Sequence, residues 1–291
     1  MQGRARAPAA GTVLNALANR RGSAFAIDRY VEARVELADG DDVVGEVAGR
    51  PEADAALIER CVELVAAEYG HGQGGSVWTE SDVPMAAGLK SSSAAANAAV
   101  LATLDALDVP VDDDPNDGQG VSREDAARVG VRAARDVGVT ATGAFDDASA
   151  SMLGGVTVTD NDADALLARE PVDWDVLVWT PPARAYSADA DVSRCERLAS
   201  LADFIAETAL DGRYAAAMTV NGFAFCAALG FSAEPLLEAL PAARGVSLSG
   251  TGPSVTAIGE ADALATVAEH WDEREGSTWL TTTQNDGARP I

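Results

Sequence analysis

The residues able to do chemistry gather in a few short stretches, the first of which is Pro84 to Val100, PMAAGLKSSSAAANAAV. A glycine, a lysine and consecutive serine hydroxyls run directly into small residues of high helix propensity, which predicts a loop feeding a helix N-terminus. The first-turn N–H groups of such a helix lack intrahelical acceptors and can hold an anion, and Gly88 permits close approach of the backbone. Ser91, Ser92 and Ser93 add hydroxyls suited to phosphate oxygens or to a phosphate-bound magnesium ion. A serine-capped alanine helix with no ligand has the same composition. The ordinary P-loop is absent, because it needs a glycine directly before its lysine and here Leu89 precedes Lys90.

A second stretch, Gly138 to Gly155, GVTATGAFDDASASMLGG, sets Asp146 beside Asp147 among small, weakly polar residues. One carboxylate there can orient a hydroxyl nucleophile or accept its proton, and either can hold magnesium through oxygen. A turn or helix-cap role also accounts for the pair. The third stretch, Gly245 to Gly259, GVSLSGTGPSVTAIG, joins two short apolar segments through a glycine-rich turn. Its backbone donors can close over an anion, or the turn can simply connect a hairpin.

These stretches carry a family resemblance. Pro84 to Ser93 resembles the central phosphate-binding motif of the GHMP small-molecule kinases, usually proline, three variable residues, then Gly-Leu-Gly-Ser-Ser-Ala-Ala, with Lys90 at the glycine before the serines. The form Gly-Leu-Lys-Ser-Ser-Ser is similar to the archaeal shikimate kinase branch. Ala10, Gly11, Thr12 and Asn15, followed by Gly22, Ser23, Ala24 and Phe25, resemble the first motif of that branch. Gly143 to Asp147 resembles the catalytic segment, with Asp146 in the place of the catalytic aspartate and Asp147 in that of a neighbour commonly Asn or Gln. Ser249 to Ser254 resembles the third, glycine-rich motif, from which Pro253 and Ser254 depart. Thr282, Gln284, Asn285 and Gly287 resemble the terminal turn.

The resemblance implies an α+β, GHMP kinase-like two-domain fold, with an N-terminal mixed β/α domain over 1–160 and a C-terminal ferredoxin-like domain over 161–291, around an interdomain cleft. It implies ATP and Mg2+, and transfer of the γ-phosphoryl to the shikimate 3-hydroxyl. It assigns Pro84, Ala86, Ala87, Gly88, Leu89, Lys90, Ser91, Ser92 and Ser93 to the nucleotide and Ser92 to the metal. Asp146 becomes the catalytic residue, and Asn15, Ser23, Asp146, Gly250, Thr251 and Gly252 fall at the acceptor. Another small-alcohol kinase, such as a homoserine kinase, and a non-catalytic acidic nucleotide-binding regulator are the competing readings.

Regular elements must position these groups. Alternation predicts a strand over Tyr30 to Leu37 and a returning strand over Val43 to Val47, as a hairpin across the Asp39-Gly40-Asp41-Asp42 turn. Apolar periodicity predicts a helix over Glu52 to Tyr69, a strand over Ser76 to Val83 and a helix from near Ser93 to Leu107. Ser122 is placed to cap a further helix. The acidic run Asp160 to Glu170 reads as a connection after a strand at Val156 to Thr159, and the domain transition falls within 156–175. Beyond it come a strand at Trp174 to Thr180, helices at Ser187 to Leu210, Tyr214 to Leu229, Ala233 to Leu240 and Ala261 to His270, and a strand at Ser277 to Thr283. Arg184, Tyr186 and Arg194 are candidates to receive an acceptor's carboxylate. Trp78 reads as a packed aromatic or a base contact.

Composition narrows the function classes. The 291 residues include 46 acidic against 21 basic ones, a formal charge of -25. That field opposes nucleic acid and anionic membrane, so a nucleotide must be held by local N–H groups, a cation and magnesium. Lys90 is the only lysine. Acids replacing lysines predict adaptation to high salt. Cys61, Cys195 and Cys226 are too sparse for a disulfide framework or metal cluster. With no signal-like apolar segment or spanning run, the expectation is a soluble cytoplasmic protein.

Overall fold

The computed structural model describes residues 1–113, 120–140, 143–183 and 191–291. Its larger sheet begins with β1 (Gln2–Leu14) and β2 (Arg21–Ala38), paired antiparallel along most of their length. The proline, glycine and small residues of β1 gave no strand pattern in the sequence. After the turn comes β3 (Val43–Val47), then α1 (Ala56–Tyr69) and β4 (Gly74–Ser81). The expected β2–β3 hairpin does not form: β4 pairs with β2, and β3 lies outside β4 and parallel to it. None of the five β3 residues is fully buried, whereas β4 buries Val77 and Thr79, so burial favours β4 at the inner position and β3 at the edge.

Helix α2 (Ser91–Ala106) follows, and a short parallel pair, β5 (Val111–Asp112) and β6 (Val121–Ser122), leads to α3 (Arg123–Asp136). Ser122 caps α3 as expected, its hydroxyl accepting from Asp125 N–H at 3.0 Å. Then come α4 (Phe145–Leu153), β7 (Val156–Asp160) and β8 (Ala165–Glu170). β7 pairs with β2 and β8 with β7, so the run expected as an acidic connection is an edge strand. No β8 residue is fully buried, which is why its polar composition concealed it. Strand pairing in the first sheet thereby continues past residue 160 to Glu170.

The second half runs β9 (Asp175–Thr180), α5 (Val192–Glu196), α6 (Ala199–Leu210), α7 (Tyr214–Leu229), α8 (Glu234–Ala239), β10 (Gly245–Leu248), β11 (Val255–Gly259), α9 (Ala261–Asp272) and β12 (Ser277–Thr282). Its antiparallel sheet has the order β10-β11-β9-β12. A strand, helices, two hairpin strands, a helix and a strand make the ferredoxin-like succession. The start of the helix expected over Ser187 to Leu210 lies outside the described residues, and the rest is α5 and α6, interrupted at Arg197 and Leu198. Finally β13 (Arg289–Pro290) returns to pair with β1.

Two cores share the first two strands. Ala5, Ala7, Val31, Ala33 and Val35 pack under α1 to α4, while Ala9, Val13, Phe25 and Ile27 pack against β9 to β11 and α7. The change of side coincides with a register shift between Pro8 and Ala10, where a bulge re-aims the side chains. Through it the same strands support the helices that carry the chemistry and fasten the second half.

Candidate active site

A cavity of about 900 Å³ brings the three glycine-bearing stretches together. The segment after β4 enters α2 through Lys90 in the left-handed conformation, at φ 61° and ψ 26°. Its carbonyls turn into the protein. Ala87 O accepts from Ser254 N–H and Leu89 O from Ala10 N–H, each at 3.2 Å, and Gly88 O accepts from the Ser249 hydroxyl at 2.8 Å. A Cβ on Gly88 would lie 2.1 Å from Ser249 O, so only glycine allows the two loops to touch here. Helix α2 has no side-chain cap, and among the described residues no hydrogen bond engages the hydroxyls of Ser91, Ser92 or Ser93. An uncapped helix start lined with unused hydroxyls has the donors to hold an anion.

Opposite lies the first turn of α4, which carries Asp146 and Asp147 at the positive end of the helix dipole. Lys90 Nζ meets Asp147 Oδ1 at 2.6 Å, and the pair is mostly shielded, with side chains 8% and 19% exposed. Asp146 is more deeply buried, 4% exposed, and its Oδ1 accepts from Asn161 Nδ2 at 2.7 Å. Burial, and then the neighbouring charge of Asp147, push the Asp146 carboxyl up to about 7, against the opposing pull of Lys90 and Asn161. A carboxyl so placed exchanges a proton near neutral pH, as a general base requires. A Cβ on Gly22 would lie 2.5 Å from Asp146 Cγ and Oδ2, so the glycine of the first motif makes room for this side chain.

Of the residues singled out in the sequence, Asn15, Ala86, Gly88, Lys90, Ser91, Ser92, Ser93, Gly143, Asp146, Asp147, Gly250 and Thr251 line the cavity. Asn15 Nδ2 donates to Gly250 O at 2.7 Å while its Oδ1 accepts from Leu17 N–H at 3.0 Å, so its amide ties the first and third motifs together. The Thr12 hydroxyl accepts from Gly250 N–H at 2.8 Å. Ala87, Leu89 and Gly252 stand behind the lining and shape it: Ala87 and Leu89 are buried, and Gly252 packs against Phe231, whereas Pro84 is exposed and outside the lining. Ser23 is not brought to the cavity. It is fully buried on β2 next to Gly22, and alternation along the strand turns it to the face opposite Asp146.

Arg184 and Tyr186 lie outside the described residues. Arg194 donates to Ala227 O at 3.0 Å and lies outside the cavity lining. Trp78 is neither a core residue nor a lining one; the Arg34 guanidinium stacks over its ring at 4.7 Å. Sequence reasoning missed Asn161, hidden in the acidic run after β7, and Arg50, which lines the cavity from the β3–α1 connection. Among the described residues no three His, Cys, Asp or Glu side chains converge on a metal position. Magnesium borne by phosphates needs no such cage, and the exposed Ser92 hydroxyl at the uncapped helix start is a suitable oxygen donor.

The fold and the site define a GHMP kinase, and residues 56–155 match the GHMP kinases N terminal domain. Solved structures with the same architecture include a homoserine kinase from Cytophaga hutchinsonii, TM-score 0.74 and 18% identical, covering 100% of this chain and 97% of that one. The mevalonate kinase of Methanococcus jannaschii has a TM-score of 0.76 at 12% identity, covering 98% and 99%. At such identities the likeness speaks for the fold alone. In sequence, shikimate kinase from Halobacterium salinarum is 61% identical over 290 residues, 99% of each chain. Shikimate kinase from Methanosarcina mazei is 46% identical over 292 residues, 99% of this chain and 96% of that one. The chain belongs to the archaeal-type shikimate kinase family.

Proposed function

We propose that this protein transfers the γ-phosphoryl group of ATP to the 3-hydroxyl of shikimate, giving shikimate 3-phosphate and ADP. The observation that carries the reading is the meeting, in one cavity, of an uncapped helix start rich in hydroxyls with the Asp146, Asp147 and Lys90 side chains. The acceptor rests on the likeness to the relative that is 61% identical. The loop from Pro84 to Ser93 and the first-turn N–H groups of α2 hold the nucleotide phosphates. The Ser92 hydroxyl would hold a phosphate-borne magnesium ion, which would supply charge neutralisation for the transferred group. Asn15, Gly250 and Thr251 form the wall facing the acceptor, and Gly252 supports it from behind. Asp146 orients the attacking hydroxyl and takes its proton, which a carboxyl titrating near neutrality does readily. Lys90 balances Asp147 and presents a cation beside Gly250.

The cytoplasmic setting expected from the sequence belongs to the same proposal, supported by the buried, unpaired cysteines Cys61, Cys195 and Cys226. So does a division into two domains, with the first carried to Glu170 because β8 pairs in its sheet. Release of ADP by the purified protein, followed with shikimate, with homoserine and with neither, each with and without magnesium, tests the function. Magnesium-dependent release with shikimate is expected; preference for homoserine, or binding of ATP without turnover, would overturn it.

A further inference from the structure

We infer that Asn161 is a positioning residue for phosphoryl transfer, whose side-chain amide fixes which oxygen of Asp146 takes the proton and locks that carboxylate to the start of α4. The inference rests on the reading of Asp146 as the proton acceptor. Asn161 follows β7 and is 1% exposed. Its Oδ1 accepts from the backbone N–H of Asp146 at 3.1 Å and from the Thr159 hydroxyl at 2.8 Å, and its Nδ2 donates to Asp146 Oδ1 at 2.7 Å. Its own backbone is pinned as well. Asn161 N–H donates to Arg20 O at 2.8 Å, and Asn161 O accepts from Arg135, whose guanidinium is held by both oxygens of Asp164.

The chemistry admits one orientation of this amide. A backbone N–H can only donate, so the amide oxygen must face the N–H of Asp146, which leaves the amide nitrogen to face the carboxylate. Asp146 Oδ1, receiving that N–H, is committed as an acceptor, and the proton exchanges at Oδ2. The same contact closes the helix. α4 starts from Ala144 with no side-chain cap, so the Asp146 N–H is one of its orphan donors, and Asn161 satisfies it from another element. Helix start and carboxylate therefore move as one unit.

The charges around Asp146 set the direction of the effect. Asp147 on α4 opposes its ionisation, and Lys90 at the head of α2 favours it. On α3, Arg128 lies over the Phe145 ring and is paired with Glu124 and Asp125, and Arg135 is paired with Asp164. On β2, Gly22 contributes no charge. The Asn161 N–H thus adds to the Lys90 field in favouring the carboxylate, and its loss raises the pH at which Asp146 ionises.

The test is the pH profile of kcat from acid to alkaline pH for the wild type, Asn161→Asp, Asn161→Ala and Asp146→Asn, with thermal midpoints for each. Asn161→Asp keeps an acceptor for the Asp146 N–H and Thr159 but removes the donor to Oδ1. The acidic limb is expected to move up by about one pH unit or more in both Asn161 variants. For Asn161→Ala, turnover at alkaline pH should return to within about tenfold of the wild type. A uniform loss at every pH with the limb unmoved would reduce Asn161 to structural support and overturn the inference. If Asn161→Ala fails to fold, Asn161→Asp decides on the same criterion. Near-normal turnover of Asp146→Asn would instead remove the proton acceptor on which the inference rests, whatever the Asn161 variants do.

Discussion

Two adjacent carboxylates in one helical turn leave the axis in directions about 100° apart, so Asp146 and Asp147 meet different surroundings. The contacts divide them: Asp146 is buried against Gly22 and Asn161, and Asp147 is paired with Lys90. Asp146→Asn keeps shape and most hydrogen bonds and should lower kcat by about two to four orders of magnitude at saturating magnesium and substrates. Asp147→Asn should be milder, since the amide still meets the cavity while Lys90 loses only its counter-charge. Steady-state turnover of the two folded variants checks this, and the reverse ranking would move the catalytic role to Asp147. The same substitution carries a stability signature. The folded Asp146 carboxyl is raised to about 7 from an ordinary 3.8, so the stability it contributes is complete below pH 3.8 and is lost as pH rises through 7. Asp146→Asn should therefore melt higher than the wild type at pH 8 and lose that advantage at pH 3.5, as thermal midpoints at the two pH values will show.

At the scale of elements, the site is two helix starts facing each other, both entered through left-handed residues other than glycine, Lys90 and Ala144. For Lys90 this backbone costs about 1–2 kcal/mol that glycine would not incur. Lys90→Gly and Lys90→Ala both remove the ammonium and should weaken ATP use alike, but the glycine variant should be the more stable by about 1 kcal/mol. Urea unfolding and ATP saturation curves separate backbone from charge; unchanged ATP saturation in both variants would take the lysine out of the nucleotide site. The start of α2 was legible because alanine propensity, serines and a glycine all point the same way there. The Ser122 cap was legible for the same reason: a local signal agrees with the global fold. The place of β3 was not, because pairing partners are chosen by burial across the sheet and not by the turn that follows β2. β8 and Asn161 share one concealment. Both lie in an acidic run that composition assigns to solvent, while the function of Asn161 depends on α4, 15 residues away in the chain. Ser23 shows the opposite error: its motif was recognised, but strand alternation gives Gly22 the contact with Asp146 and turns Ser23 away.

The whole molecule sets a problem that its site must solve. A chain of formal charge -25 binds an anionic nucleotide, and among the described residues lining the cavity only Arg50 and Lys90 are cationic. On the proposed reading, backbone N–H groups at the start of α2 carry much of the recognition, because they add positive potential without altering the acidic surface. That surface repels itself at low ionic strength, where the Debye length is about 30 Å at 0.01 M, and is screened in molar salt, where it is about 3 Å. Thermal midpoints should rise from low to molar potassium chloride at fixed pH; a flat or falling series would refute salt adaptation. Recognition by backbone donors also predicts that ATP binding survives the salt that stabilises the fold. The most direct measurement is therefore phosphorus and proton NMR of the purified protein in molar potassium chloride with ATP, magnesium and shikimate. The account predicts loss of the γ-phosphate resonance with appearance of a phosphate monoester coupled to the proton on carbon 3 of shikimate. Phosphate on another hydroxyl, hydrolysis of ATP to free phosphate alone, or transfer to homoserine in preference to shikimate would contradict it.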